Sequence, residues 1–251
     1  MGEVTMTIDE GVAVMTISSP EVKNGLTADM CLQLIEHCDV IDADVSVGAA
    51  VIRGAGGTFC SGADTRAWSV MVDPASEEAF KRSSEIFTAF QRVGHLKVPT
   101  VAAVRGAAVG AGMILYLVAD VRIVALNARI IAGFLRVGIH PGGGFFTLVG
   151  RLAGREAGAA LGLFGEEVSG EQAARIGLAW EAVPDEMVEG RAVELAKVAT
   201  RDPELTRQAL ASYRTELGPP QVSWQAALEM ERGIQMWSQR RRQTRLQQED
   251  S

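Results

Sequence analysis

The sequence predicts an α/β protein whose sheet is mostly parallel. Short apolar runs are followed by glycine-rich turns and helical segments, and this order repeats as far as residue 125. Strands and helices that alternate at this spacing are typical of βαβ units. From Gly154 onward the sequence becomes rich in alanine and glutamate, with breaks at glycine and proline, which predicts a helical carboxyl-terminal part.

The first predicted elements are a β-hairpin and a capped helix. Residues 4–8 and 12–17 are rich in β-branched side chains and flank the turn Asp9-Glu10-Gly11. Thr27 is suited to cap a helix that runs to about Asp39, because its hydroxyl can accept a bond from a free amide of the first turn.

The following elements alternate between strands and helices. Ser76 is a second candidate for a helix cap, and the acidic residues after it would be stabilised by the positive end of the helix dipole. The expected order is a strand over 47–53, a helix over 76–93, a strand over 100–104, a glycine turn over 106–112 that leads into a helix, and a strand over 121–125.

Composition excludes several classes of function. The 24 basic and 31 acidic residues give a net charge of −7, which disfavours a general nucleic-acid surface. The basic run at 240–242 is interpreted as a solvated helix end. No apolar run reaches the length of a membrane span, and the start of the chain does not resemble a secretion signal. We therefore expect no membrane partner and a cytoplasmic location.

The three cysteines show neither the spacing of zinc ligands nor a CxxC motif. Cys31 and Cys38 are seven residues apart on the first predicted helix, which places them on one face. Together with Cys60 they are expected to be buried free thiols, and no metal site is predicted.

Residues 59–64 and 106–112 are the turns most suited to chemistry. In both, small residues stand where a strand gives way to a turn or helix, so backbone N–H groups are left without partners. Two such turns that meet would form an oxyanion hole. Close packing of helix against strand demands the same glycines, and this alternative stays open.

Five landmarks in order carry a family resemblance. They are NGLT at 24–27, FCSGAD at 59–64, PTVAAVRG at 99–106 with GAG at 110–112, GIHPGGG at 138–144, and SGEQA at 169–173 with IGL at 176–178. In order and spacing the chain resembles the crotonase (enoyl-CoA hydratase/isomerase) superfamily from about Ser18 to Val183.

The resemblance implies a fold and a ligand class. The fold would be a spiral of ββα units over residues 1–190 that binds acyl-CoA, followed by a helical oligomerisation region over 191–251. The assembly would be a homotrimer or a dimer of trimers. Coenzyme A would be part of the substrate, and no separate cofactor is expected.

The resemblance also implies site residues. The amides of Ala63 and Ala111 would bind the thioester carbonyl and stabilise an enolate. Contacts with CoA would come from Lys23, Gly62, Ala63, Asp64, Thr65, Arg66, Gly110 and Ala111. Lys23 and Arg66 are the candidates for the phosphates, and each is equally consistent with a solvated surface cation.

The chain departs from the family at two positions. Where hydratases of the family carry catalytic glutamates, this sequence has Ile114 and Phe134. Neither side chain exchanges a proton, so addition of water between two carboxylates is disfavoured. An apolar pocket with an oxyanion hole suits enolate chemistry other than hydration.

Several residues are candidates to replace the missing carboxylates. His140 is the first, since its usual pKa suits proton transfer near neutrality; alternatively it caps the following helix or binds a backbone carbonyl. Arg136 would orient a carboxylated acyl group or lie on the surface. Glu77, Glu78 and Glu85 would reach the pocket or form a solvated helix face. A non-catalytic acyl-CoA-binding protein is the alternative to an enzyme.

Overall fold

The predicted α/β class is confirmed by a computed structural model, which describes residues 2–64, 66, 76–217 and 223–249. The strands of the described part form one sheet of six and one of three. Their bounds are β1 (Glu3–Asp9), β2 (Val12–Ser18), β3 (Ala49–Gly54), β4 (Thr100–Val104), β5 (Ala107–Val109), β6 (Val121–Ala125), β7 (Arg129–Ile131), β8 (Glu167–Ser169) and β9 (Glu181–Val183).

The α-helices lie between and after these strands. They are α1 (Ala28–Ala43), α2 (Glu77–Gly94), α3 (Ala111–Leu117), α4 (Phe145–Gly162), α5 (Gly170–Arg175), α6 (Val188–Ala199), α7 (Pro203–Glu216) and α8 (Trp224–Glu249). Gly154 interrupts α4, because its φ of 83° and ψ of 175° are not helical.

The larger sheet is parallel apart from its first pair. Its order is β1-β2-β3-β4-β6-β9, with β1 and β2 forming the predicted antiparallel hairpin and all other neighbours parallel. Every residue of β4 is buried. Strands that are covered on both faces have continuous apolar sequences. The apolar runs at 100–104 and 121–125 therefore predicted the bounds of β4 and β6 correctly.

The smaller sheet was not predicted as a separate unit. It has the order β5-β7-β8, and β5 lies inside the segment expected to be only a glycine turn. An isolated bridge joins Cys60 to Ala108, the middle residue of β5. This bridge holds the chain after β3 beside the chain after β4, and so brings together the two turns singled out in the sequence.

The predicted helix caps are confirmed. The Thr27 hydroxyl accepts a hydrogen bond from the Met30 amide at 3.2 Å, and the Ser76 hydroxyl accepts one from the Ala79 amide at 3.2 Å. The first helix continues to Ala43, four residues beyond its expected end. Cys31, Cys38 and Cys60 are buried free thiols, also as predicted.

The carboxyl-terminal region is helical, and its first helix belongs to the core. Val188, Ala192 and Ala196 of α6 are buried in the same cluster as the strands of the larger sheet. The expected boundary between residues 190 and 191 therefore falls within α6. Farther on, α8 packs against both α2 and α4. Over the described residues, every helix is too short or too polar to cross a membrane.

Candidate active site

The two glycine-rich turns that follow β3 and β5 meet. The Cys60 amide donates to Ala107 O at 3.0 Å, and the Val109 amide donates to Cys60 O at 3.0 Å. A Cβ at Gly62 would lie 3.0 Å from Val109 O and 3.8 Å from Ala111 N. The turn that contains Ala63 is thus in contact with the first turn of α3.

Glycine is required at the points where these turns touch. Gly110 has a φ of 52° and a ψ of −113°, which is a glycine-only conformation. A Cβ at Gly112 would overlap the carbonyl oxygen of Cys60 and would lie 2.7 Å from the Cys60 Cβ. The close packing that the sequence left open as an alternative is therefore present, and it places backbone amides at a shared wall.

The amides of Ala63 and Ala111 both lie at a cavity. Ala111 is the first residue of α3, so its amide has no partner within the helix. Leu26 and Ala63 are bridged, but the bonds run from Leu26 N to Gly62 O and from Asp64 N to Leu26 O. Within the described chain, neither alanine amide donates a hydrogen bond. Two such donors suit an oxygen that gains negative charge.

The cavity has a volume of about 230 Å³ and is mostly apolar. One wall comes from Ile86, Phe87 and Phe90 of α2, and another from Ile114 and Phe134. Ile114 is 1% exposed and Phe134 is 7% exposed. Ile114 and Phe134, the two positions at which the sequence differs from the family it resembles, therefore both form part of the cavity wall.

Asp64 is the single acidic residue among the described residues that line the cavity. Arg66 donates to both of its carboxylate oxygens, from Nε at 3.0 Å and from Nη2 at 2.7 Å. The hydrogen bond from this guanidinium holds the pKa of Asp64 below its usual range. Asp64 is therefore suited to remain ionised rather than to exchange protons near neutral pH.

The loop before α1 is fixed against the same turn. The Asn24 side chain accepts from the Ser19 amide at 2.9 Å and donates to Ala55 O at 2.8 Å and Thr58 O at 2.6 Å. Lys23 O accepts from Ser61 N at 3.0 Å. The exposed Lys23 side chain is thus carried by a loop bonded to the turn that leads to Ala63. The predicted CoA contact Thr65 lies outside the described residues.

His140 is not among the described residues that line the cavity, although its neighbour Ile139 is. Its Nδ1 is 2.6 Å from Pro141 O, and its ring meets Phe146 edge-on with centroids 6.4 Å apart. This is the backbone-carbonyl arrangement that the sequence left open. The role of His140 in proton transfer stays a prediction.

The other candidate side chains also lie outside the cavity wall. Arg136 is exposed and donates to Gly165 O at 2.6 Å. The residues of α2 that line the cavity include Ala79, Ser83 and Ile86, but neither Glu77 nor Glu85. The side chain of Glu78 is outside the described part of the structure.

The sequence reasoning missed the contribution of α8. Gln235 and Gln239 line the cavity, and Glu231, one turn earlier, is 8% exposed. Glu231, Gln235 and Gln239 follow one another at intervals of four residues and therefore share one face of α8. The available signal was this polar stripe in line with the buried Leu228, just before the basic run at 240–242 that we interpreted as a solvated helix end.

Glu231 occupies the amino terminus of α4. Its carboxylate accepts from the Gly144 amide at 2.7 Å, and the Phe145 and Phe146 amides also bond to it. Burial raises the pKa of Glu231 to about 7, and the three amide bonds oppose this shift only in part. A helix amino terminus stabilises negative charge, so Glu231 acts as a cap supplied from 87 residues away.

Comparisons with known proteins agree with this architecture. The model of the family described as enoyl-CoA hydratase/isomerase matches residues 7–248. A Mycobacterium tuberculosis protein named "Probable enoyl-CoA hydratase EchA14" is 36% identical over 86% of this chain and 83% of its own. The 1,2-epoxyphenylacetyl-CoA isomerase of Escherichia coli is 32% identical over 83% and 81%, respectively.

A solved structure confirms the fold. The crystal structure of an enoyl-CoA hydratase from Bacillus anthracis aligns with a TM-score of 0.81 and 26% identity, covering 92% of this chain and 89% of that one. The expected crotonase fold with its helical carboxyl-terminal region is thereby confirmed. The chain belongs to the enoyl-CoA hydratase/isomerase family.

Proposed function

We propose that the protein is an acyl-CoA enzyme that polarises the thioester carbonyl and stabilises the resulting enolate. The observation that carries the proposal is the pair of unpartnered amides, Ala63 and Ala111, at the wall of an apolar cavity. Membership of the family supplies the ligand class, since the related proteins of known name act on CoA esters.

The two amides would act on the thioester oxygen. As a proton leaves the acyl α carbon, negative charge moves to that oxygen, and both N–H groups donate to it. Each such donor contributes about 3–4 kcal/mol in comparable sites. The apolar walls formed by Ile114, Phe134 and the phenylalanines of α2 exclude water, which strengthens both bonds.

Hydration by paired carboxylates does not fit this cavity. Ile114 and Phe134 occupy its wall, and Asp64, the acidic residue that does line it in the described chain, is paired with Arg66. Enolate chemistry other than addition of water is therefore favoured. His140 stays the predicted proton carrier.

Lys23 and Arg66 would meet the CoA phosphates. Both are exposed, and they are carried by the two segments that flank the turn of Ala63. Arg66 is already paired with Asp64 and lies 4.0 Å from Glu21. Lys23 would therefore supply the larger share of the attraction for phosphate. Gly62, Asp64, Thr65 and Gly110 complete the proposed CoA contacts.

A non-catalytic acyl-CoA-binding protein is the second candidate. One observation favours it. Among the described residues that line the cavity, Asp64 is the single acidic side chain, and there is no lysine, arginine or histidine that could carry a proton. Such a protein would keep the amides and bind the thioester without exchanging its α proton.

Proton exchange in deuterated water separates the two candidates. The enzyme should incorporate deuterium at the α carbon of butyryl-CoA, as measured by mass spectrometry. His140→Ala should slow this incorporation by about 10²-fold or more if His140 carries the proton. Tight binding of every acyl-CoA with no incorporation would favour the binding protein.

Crotonyl-CoA hydration is the complementary assay. With Ile114 and Phe134 in the cavity, we expect hydration slower by about 10²–10⁴-fold than that of a two-glutamate hydratase. An ordinary hydratase rate would contradict the interpretation of these two positions.

The proposed assembly is a homotrimer or a dimer of trimers. Phe164 is 79% exposed and Trp180 is 70% exposed, which is unusual for large apolar side chains and is consistent with burial by other copies. Light scattering after size exclusion should give three or six times 26.7 kDa. A cytoplasmic location stays a prediction from the cysteine pattern and the family.

A further inference from the structure

The backbone amides of the turn at 59–64 have three kinds of environment. Most of them donate to main-chain carbonyl oxygens of other segments, and these are the amides of Phe59, Cys60, Ser61 and Asp64. The Gly62 amide donates instead to a side chain, the Sγ of Cys60, at 3.4 Å. Over the residues that the structure describes, this leaves the Ala63 amide as the one in the turn without an acceptor.

The direction of the Ala63 amide depends on the residue before it. Its N–H shares one planar peptide group with the Gly62 carbonyl, and the two point in opposite directions in a trans peptide. The Gly62 oxygen accepts from the Leu26 amide at 2.8 Å, and the Cys60 thiol donates to it at 3.7 Å. The contacts that hold this oxygen therefore hold the Ala63 N–H on the opposite side, where Ala63 lines the cavity.

The Cys60 thiol thus bonds both backbone groups of Gly62. The φ of Gly62 is 112°, in the region that favours glycine, so no side chain of its own restricts this backbone. A thiol is a weak donor and a weak acceptor, and it serves as both here. A flexible residue directly before a donor amide is in this way held by a neighbouring side chain.

The thiol is confined between the two turns. Cys60 is 0% exposed, and a Cβ at Gly112 would lie 2.9 Å from its Sγ. Gly112 follows Ala111 on α3, so the sulfur lies between the segments that carry both donor amides. Burial raises the pKa of Cys60 to about 12, so the thiol keeps its proton and remains a donor near neutral pH.

We propose that Cys60 is a positioning residue, whose side chain holds the Gly62–Ala63 peptide so that the Ala63 N–H stays aligned with that of Ala111. The inference rests on the proposed function, because aligned donors serve an oxygen that both of them bind. Without the thiol, the buried Gly62 amide would lack an acceptor, which favours rotation of the peptide. Rotation would misdirect the Ala63 N–H, and hydrogen bonds weaken steeply with angle.

A role in packing alone is the alternative, and a second cysteine separates the two. Cys38 is also 0% exposed and belongs to the same hydrophobic core, but it lies on α1. Cys38→Ala removes the same atoms as Cys60→Ala and leaves the turn at 59–64 unchanged. Both variants should lose stability, whereas only Cys60→Ala should lose the alignment of the amides.

Infrared spectroscopy of bound butyryl-CoA, isotopically labelled at the thioester carbonyl, measures this alignment in the full chain. In the wild type, the carbonyl band should lie at a lower frequency than in water, because two fixed donors in an apolar cavity polarise the bond more strongly. Cys60→Ala should lose most of this shift, and Cys38→Ala should keep it. A full shift in Cys60→Ala, or equal losses in the two variants, would overturn the proposal.

Cys60→Ser tests whether the hydrogen bond itself is responsible. The serine hydroxyl can accept from the Gly62 amide, so this variant should retain most of the shift. Loss in both the serine and the alanine variant would contradict positioning through a hydrogen bond. If Cys60→Ala does not fold, Cys60→Val fills the space without accepting a hydrogen bond, and a full shift in that variant would contradict the proposal in the same way.

Deuterium incorporation at the α carbon of butyryl-CoA gives a second measurement. Cys60→Ala should lower kcat by about 10-fold or more and change KM by less than about 3-fold, because the donors act mainly as charge develops on the oxygen. Cys60→Ser should recover most of kcat. If the wild type binds butyryl-CoA without any carbonyl shift, the proposed function and this inference both fail; if the shift is present and survives in Cys60→Ala, only this inference fails.

Discussion

The turns around Ala63 and Ala111 differ from α8 in the kind of group that each presents to the cavity. The turns present backbone amides, which every residue except proline possesses. Helix α8 presents the side chains of Gln235 and Gln239. The difference teaches that one part of the cavity wall presents groups that do not depend on side-chain chemistry, whereas the part formed by α8 does depend on it.

The two regions are also held in place differently. The turns are held by main-chain hydrogen bonds and by glycines that permit contact between buried backbones. Helix α8 is held by one buried carboxylate, one guanidinium over two rings and one indole. Changes in the turns should therefore damage stability and activity together, while changes in α8 should be smaller and separable.

The largest effect is expected for Gly112→Ala. The added methyl group would overlap the carbonyl oxygen of Cys60, so the two turns must move apart. We expect a loss of about 1–3 kcal/mol in the free energy of unfolding and a loss of about 10²-fold or more in α-deuterium incorporation. Gly190→Ala is the matched control, because a Cβ there meets nothing within 4 Å. Equal behaviour of the two variants would contradict the tight contact.

The next largest effect is a pH dependence that Glu231 introduces. Its folded pKa of about 7 lies above the usual 4.5, so the folded protein keeps a proton that the unfolded chain has already released. This contribution to stability is complete below pH 4.5 and is lost as pH rises through 7. It amounts to about 3 kcal/mol at most, at about 1.4 kcal/mol for each unit of pKa.

Urea unfolding of the wild type and Glu231→Gln at several pH values between 5 and 8 measures this contribution. The glutamine variant keeps an acceptor for the Gly144 amide but does not titrate. The wild type should therefore lose stability relative to the variant as pH rises. A difference that is constant with pH would show that Glu231 does not hold its proton in this range.

A smaller effect is expected for Arg232→Met. The substitution keeps most of the apolar stem but removes the charge over Phe80 and Phe87, which should cost about 0.5–1 kcal/mol. The same substitution at the exposed Arg240 of α8 should cost almost nothing. Thermal unfolding of both variants makes the comparison, and an equal loss would argue against the contact.

The smallest effect has the opposite sign. Gly233 lies inside α8, and a Cβ there meets nothing within 4 Å. Gly233→Ala should therefore raise stability by up to about 1 kcal/mol, because alanine has the better helix propensity. Urea unfolding checks this prediction, and a loss of stability would indicate that the exposed face of α8 is covered in the assembled protein.

The sequence predicted the parts of the fold that carry strong local signals. The apolar runs predicted the bounds of β4 and β6, and the structure confirms them. Thr27 and Ser76 cap α1 and α2 as expected. The three-residue strands β5, β7 and β8 were missed, because so short a segment contains too few residues to show a period of two.

The two turns that line the cavity were singled out from the sequence, whereas the residues of α8 that line it were missed. The turns of Ala63 and Ala111 were recognised from their glycines, and the structure brings them together. Gln235 and Gln239 were not, because polar residues in a helix ordinarily face solvent. The same helix is held against the core by Glu231 and Arg232, which contact residues more than 80 positions away in the sequence.

The bridge between Cys60 and Ala108 has a consequence for the proposed stabilisation of an enolate. Because main-chain bonds join the two turns to each other, the spacing of the donor amides is set when the protein folds and not when a ligand arrives. Little reorganisation energy would then be required in the proposed reaction, as charge develops on the thioester oxygen. The α2 wall takes no part in these main-chain bonds, so its side chains can change without altering the spacing of the two amides.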